Sequence, residues 1–189
     1  MRLFLAAGLP DELLGQVDEV RSSLAGRLDG WRWVRPAGVH LTLCFLGEVA
    51  PESDRRARGT WCRVAGAARP FRIRLGRVGH FPVGGRPRVL WLGVEETDPG
   101  DALAALAAEV GHAARALGWD ATSRPFHPHL TLARGGRGGR PDRPHVVARP
   151  AGNEFRVREL VLYCSRLEPG GARYTALESF PLGHPAGGT

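Results

Sequence analysis

Short apolar runs, separated by glycine and proline, alternate along this chain with stretches whose apolar residues recur every three or four positions. Arg2 to Ala7 is a compact apolar run ended by Gly8 and Pro10, the pattern of a strand. Pro10-Asp11-Glu12 then opens a helix, with Leu13, Leu14, Val17, Val20 and Leu24 at helical spacing. Trp31 to Val34 reads as a short strand ending at Arg35-Pro36, and His40 to Leu46 as a strand closed by Gly47. Pro51 to about Ala68 has the spacing of a weaker helix, with Trp61 and Val64 on one face. Phe71, Ile73 and Leu75 alternate with Arg72 and Arg74, which predicts a strand with one wet face. Val89 to Val94 is nearly all apolar and reads as a central strand, after a turn at Gly84-Gly85 and Pro87. Asp101 to Leu117 is the clearest helix, with Leu103, Leu106, Val110 and Leu117 on one stripe and Gly118 beyond its end. His129 to Ala133, Val157 to Leu167 and Tyr174 to Leu182 complete the strands, the last two joined by a Pro169-Gly170-Gly171 turn. Residues 135–145 are a Gly/Pro/Arg loop, and residues 184–189 read as a disordered tail.

Strands and helices interspersed in two similar halves predict an α+β fold with pseudo-twofold symmetry. A length of 189 residues allows one domain of two small lobes with a proper core, which we place at residues 1–183. The tetrapeptide His-Leu-Thr-Leu occurs at His40–Leu43 and again at His129–Leu132, 89 positions apart. Strand geometry sends His and Thr to one face and the two Leu to the other. Two such strands side by side would join two imidazoles and two hydroxyls in one site. Imidazoles titrate near neutrality, so one can take a proton while the other gives one. The Thr hydroxyls can bond non-bridging phosphate oxygens and stabilise charge as it develops. Such a set suits opening of a cyclic phosphodiester and requires no metal.

Charge adds one point. The net charge is +7 and all 26 basic residues are Arg, which an Arg-, Ala-, Gly- and Pro-favouring genome explains without reference to function. The excess would still attract an anion such as RNA or a nucleotide. Cys44, Cys62 and Cys164 form no paired motif and read as reduced thiols of a cytoplasmic protein. The apolar start is too short for a signal peptide, and no stretch approaches the roughly 20 residues of a membrane helix.

The wider segments RLFLAAGLP, WVRPAGVHLTLCFLGEV, RPRVLWLGVE, RPFHPHLTLAR and LVLYCSRLEPGGARYTALESFPL resemble the 2H phosphoesterases, and among them the bacterial RNA 2′,3′-cyclic phosphodiesterases first described as 2′-5′ RNA ligases. The resemblance spans nearly the whole chain. It implies a bilobal fold, each lobe an antiparallel sheet with helices outside, and a central cleft. It implies that His40 and His129 are catalytic, and that Thr42, Thr131 and Arg134 bind phosphate, with no metal and no cofactor. The implied reaction is hydrolysis of an RNA terminal 2′,3′-cyclic phosphate to a 2′-phosphomonoester, with 2′-5′ ligation as the same chemistry using a ribose hydroxyl. The implied partner is RNA with such an end, and nothing demands more than a monomer. The alternatives are a 2H enzyme acting on a small cyclic nucleotide or ADP-ribose cyclic phosphate, and an RNA- or nucleotide-binding module without turnover.

Other residues have plainer expectations. His127 reads as an exposed strand entry, with metal ligation or a secondary phosphate contact as alternatives. His80, His112, His145 and His184 read as surface residues. RGGRGGR at 134–140 reads as a flexible loop, with loose RNA contact as its alternative. Phe45 and the five Trp (31, 33, 61, 91 and 119) are expected in the core. Phe4 is expected either in the core or stacking a terminal base.

Overall fold

Two antiparallel sheets carry the molecule, and the repeated tetrapeptide holds equivalent places in them. The computed structural model describes residues 1–83, 86–119, 121, 125–135, 152–168 and 171–183. The elements run β1 (Arg2–Ala7), α1 (Asp11–Ala25), β2 (Trp31–Trp33), β3 (Leu41–Glu48), α2 (Pro51–Ala67), β4 (Phe71–Phe81), β5 (Val89–Glu96), α3 (Ala102–Ala116), β6 (His129–Gly135), β7 (Glu154–Val157), β8 (Glu159–Glu168) and β9 (Gly171–Pro181). One sheet has the order β3-β1-β8-β9, and the other β2-β6-β5-β4-β7. Matching β3 to β6, β1 to β5, β8 to β4 and β9 to β7 superimposes the two orders and leaves β2 without a counterpart. This is the α+β, bilobal, pseudo-symmetric arrangement that the sequence predicts.

The lobes are not the two halves of the sequence. β4 leaves the first half to pair with β5, and β8 returns from the second half to pair with β1. β7 was not expected as a separate strand. The alternation through Phe155 and Val157 runs into β8, but Arg158 alone carries the chain from one sheet to the other. β4 is also longer than its alternating segment, because a register shift between Leu75 and Val78 carries it on to Phe81.

The core is assembled from the Leu sides of the motif strands, with Leu41, Leu130 and Leu132 fully buried beside Leu5, Leu90 and Leu92. Fully buried Trp61 packs on Trp119 from α2. α3 begins under a carboxylate: Glu96, the last residue of β5, accepts bonds from the Ala102 N–H (3.1 Å) and the Leu103 N–H (2.9 Å). This satisfies two of the free donors at the helix start. Asp54 of α2 is the buried carboxylate among the described residues, and Arg58 holds it at 2.8 Å while also reaching Glu178 of β9.

Both motif strands carry a bulge at the same place. In β3, Leu5 faces Cys44 and Ala6 faces Thr42, so Leu43 is the extra residue. In β6, Leu90 faces Ala133 and Trp91 faces Thr131, so Leu132 is the extra residue. An extra residue reverses the alternation beyond it. Strict alternation would bury Phe45 with Leu41 and Leu43; the bulge turns it out, 54% exposed. The same device turns Arg134 to the face of His129 and Thr131.

Candidate active site

A cavity of about 1050 Å³ lies between the motif strands. His40, Thr42 and Phe45 line one wall, His129, Thr131 and Arg134 the opposite one, with Phe81 and Val89 beside them. Along the far side runs α3, showing Ala104, Ala108, Gly111 and Arg115. The five residues predicted for the site thus meet in one space.

The imidazoles are held in the same way. His40 Nδ1–H donates to the Gly38 carbonyl at 2.9 Å, and His129 Nδ1–H donates to the His127 carbonyl at 2.7 Å. A carbonyl can only accept, so Nδ1 carries the proton in both rings. Nε2 is left as the atom that takes or gives a proton. The acceptor is in each case the residue two places upstream. Gly38 belongs to a tight turn at Pro36–Gly38, where a side chain would press on Val34 at 3.0 Å. Pro128 separates the donor and acceptor residues at the other wall.

Around these bonds the two histidines differ. His40 sits in an aromatic enclosure, its ring centroid 4.7 Å from Phe4 and 4.6 Å from Tyr174. Burial there lowers its pKa from 6.5 to about 4; the Gly38 bond opposes the shift, while Arg134 and His129 add to it. His129 is also lowered, first by burial, then by the charges of His127 and Arg134, against its backbone bond. Arg134, on the cavity wall, thus lowers both imidazoles.

Three aromatic expectations change. Phe4 is 1% exposed but stands outside the core cluster, on the His40 face of β1, where it packs on His40, Phe45 and Tyr163; it is a buried wall behind His40 and not a free stacking surface. Phe45 lies in the cavity, for the reason given by the bulge. Trp91 is outside the core cluster: its indole lies over Gly79 on the His129 side of the sheet, 6.3 Å from His129 and 4.9 Å from His127, with Phe81 beside it at 5.2 Å. A Cβ at Gly79 would stand 2.3 Å from that ring, so the glycine is what lets the indole lie flat. The other tryptophans pack in or against the core. His127 is exposed ahead of β6. The loop after Gly135, His145 and His184 lie outside the described residues. Tyr174, Trp91, Phe81 and Arg115 were missed as site residues. A flat Trp opposite Thr131 with glycine as its cross-strand neighbour is the signal that, given the register, would have found one of them.

Comparison with known proteins finds relatives along most of the chain. Residues 9–166 match the 2′-5′ RNA ligase superfamily. An RNA 2′,3′-cyclic phosphodiesterase of Thermus thermophilus is 38% identical over 190 residues, spanning 96% of this chain and 90% of the relative. One of Escherichia coli is 34% identical over 186 residues, spanning 96% of each chain. The crystal structure of TT0787 of Thermus thermophilus matches with a TM-score of 0.83 at 34% identity, covering 97% of this chain and 99% of that one. Escherichia coli LigT complexed with 3′-AMP matches with a TM-score of 0.76 at 32% identity, covering 96% and 97%. The match across most of the chain, at these identities, makes it a member of the 2′-5′ RNA ligase superfamily.

Proposed function

We propose that this protein hydrolyses the 2′,3′-cyclic phosphate at the end of an RNA chain, leaving a 2′-phosphomonoester. The observation that carries the reading is the pair of imidazoles in one cavity, each locked through Nδ1 to a backbone carbonyl and each with a Thr two residues on. The names of the relatives, and the nucleotide held by the LigT structure, support the same substrate class.

The reaction needs two proton transfers. Nε2 of one histidine takes a proton from water as its oxygen bonds to phosphorus. Nε2 of the other gives a proton to O3′ as the P–O3′ bond breaks in line. The histidine opposite O3′ is the acid and its partner the base. Thr42, Thr131 and Arg134 bind the non-bridging oxygens, the guanidinium offering a fork of donors to an anion. An anion in the cavity also counters the Arg134 charge and raises both imidazole pKa values toward neutrality. The side chains supply both proton transfers and the charge stabilisation, so the scheme asks for no metal or cofactor. A ribose hydroxyl in place of water would give the 2′-5′ ligation.

The test is a short RNA ending in 2′,3′-cyclic phosphate, incubated with the protein in EDTA, with the position of the product phosphate determined. The expected product is the 2′-phosphate, lost in His40→Ala and in His129→Ala. Full activity in both variants would refute the paired mechanism.

A further inference from the structure

β2 is the strand by which the two sheets differ, and it changes what stands beside Arg134. In the register of β2 and β6, Arg32 lies directly opposite Arg134, flanked by the pairs Trp31–Gly135 and Trp33–Ala133. Residues directly opposite across antiparallel strands share a face, with Cβ atoms about 5 Å apart. Arg134 points into the cavity, so Arg32 points to the same side and stands exposed just beyond the rim. Like charges in this relation repel. Neither guanidinium has a carboxylate partner among the described residues. The next residue in this row is Val89 of β5, followed by Phe81 of β4, so no acid in the row relieves the pair, and Glu95, farther along β5, is engaged by Arg74. At the equivalent place in the other sheet, Phe45 stands on an edge strand, with no strand beyond it among the described residues. An arginine pair of this kind is favourable when polyanion lies across it.

Resting on the phosphodiesterase reading, we propose that Arg32 binds the phosphate next to the scissile one, so that Arg134 and Arg32 form a track for an RNA chain. The terminal cyclic phosphate occupies the histidine cavity and the preceding internucleotide phosphate reaches the β2 rim. A nucleoside 2′,3′-cyclic phosphate has no such group. The track therefore makes the enzyme select a polynucleotide end over a free cyclic nucleotide.

The experiment compares kcat/KM for a nucleoside 2′,3′-cyclic phosphate and for a trinucleotide ending in 2′,3′-cyclic phosphate, in wild type, Arg32→Ala and Arg32→Glu. The trinucleotide-to-mononucleotide ratio should fall roughly tenfold in Arg32→Ala, the scale of one charged hydrogen bond, and further in Arg32→Glu. The log–log salt dependence for the trinucleotide should become shallower by about 0.7 in Arg32→Ala, the loss of one phosphate contact to a single strand. An unchanged ratio in both variants would overturn the track. So would equal loss on both substrates, since Arg32 would then act only by supporting Arg134. Turnover of neither substrate by wild type would instead overturn the phosphodiesterase reading, and the track with it.

Discussion

Protonating His40 should destabilise the fold by a measurable amount. The ring is enclosed by Phe4 and Tyr174, with its Nδ1–H already committed to Gly38. Its pKa falls from 6.5 to about 4 on folding. The folded value is the lower one, so between the two the unfolded chain binds more protons. Stability present above pH 6.5 is therefore lost as pH falls toward 4. At about 1.4 kcal/mol for each pKa unit the full loss is about 3 kcal/mol, and about 2.5 kcal/mol of it is gone by pH 4.5. For a domain whose total stability is on the order of 10 kcal/mol this is a large fraction. The assay is urea unfolding followed by tryptophan fluorescence at pH 7 and pH 4.5, in wild type and in His40→Gln. Other titrating groups act alike in both proteins and drop out of the difference. Wild type should lose about 2.5 kcal/mol more than the variant over that interval. Parallel losses would mean that His40 is solvated or already charged, and the aromatic enclosure would not be what sets its proton affinity.

Four further outcomes follow. With both imidazole values lowered, kcat/KM should peak below pH 6.5 and fall toward pH 8, whichever histidine is the acid; a plateau across pH 6.5–8 in the initial-rate profile would contradict this. Gly79→Ala pushes on the Trp91 indole and should cost roughly 1–3 kcal/mol in denaturant melts, with a lower kcat from disturbed His129; Gly79→Ala with Trp91→Leu should recover the stability. Glu96→Ala uncaps α3 and should cost about 1–2 kcal/mol in the same melts. Arg58→Ala strands the Asp54 carboxylate and should cost about 3 kcal/mol, more than the double variant Asp54→Ala/Arg58→Ala.

The elements were legible in the sequence because their apolar spacing is local, and the five site residues because the motif is repeated and embedded in familiar segments. What lay hidden is non-local. Which sheet a strand joins depends on its partners, so the exchange of β4 and β8 leaves no mark in their own residues. The bulges are set by pairing between β1 and β3 and between β5 and β6. Reading Phe45 by simple alternation therefore places it in the core. Alternation alone would likewise bury Arg134, which the structure instead sets on the cavity wall. Trp91 misled for another reason: its run Val89–Val94 is apolar on both faces, and only the glycine on the neighbouring strand shows that one face holds a flat ring.

The return of β8 to pair with β1 bears on how the chain comes off the ribosome. Leu3 pairs with Cys164, so β1 waits for a strand made about 160 residues later. Until β8 emerges, β1 and β3 are a two-stranded ribbon with a bare edge, too small to persist in water. β2, β4, β5 and β6 of the other sheet are complete earlier, and only the crossing at Arg158 then delivers β8 and β9 to pair with β1. Vectorial assembly is the expected outcome: one wall of the cleft forms first and the other is completed by β8 and β9. A chain halted before Arg158 would hold the second tetrapeptide on a formed sheet and the first on an unfinished one, so ribosome-stalled fragments should be inactive and open to proteolysis in β1 and β3.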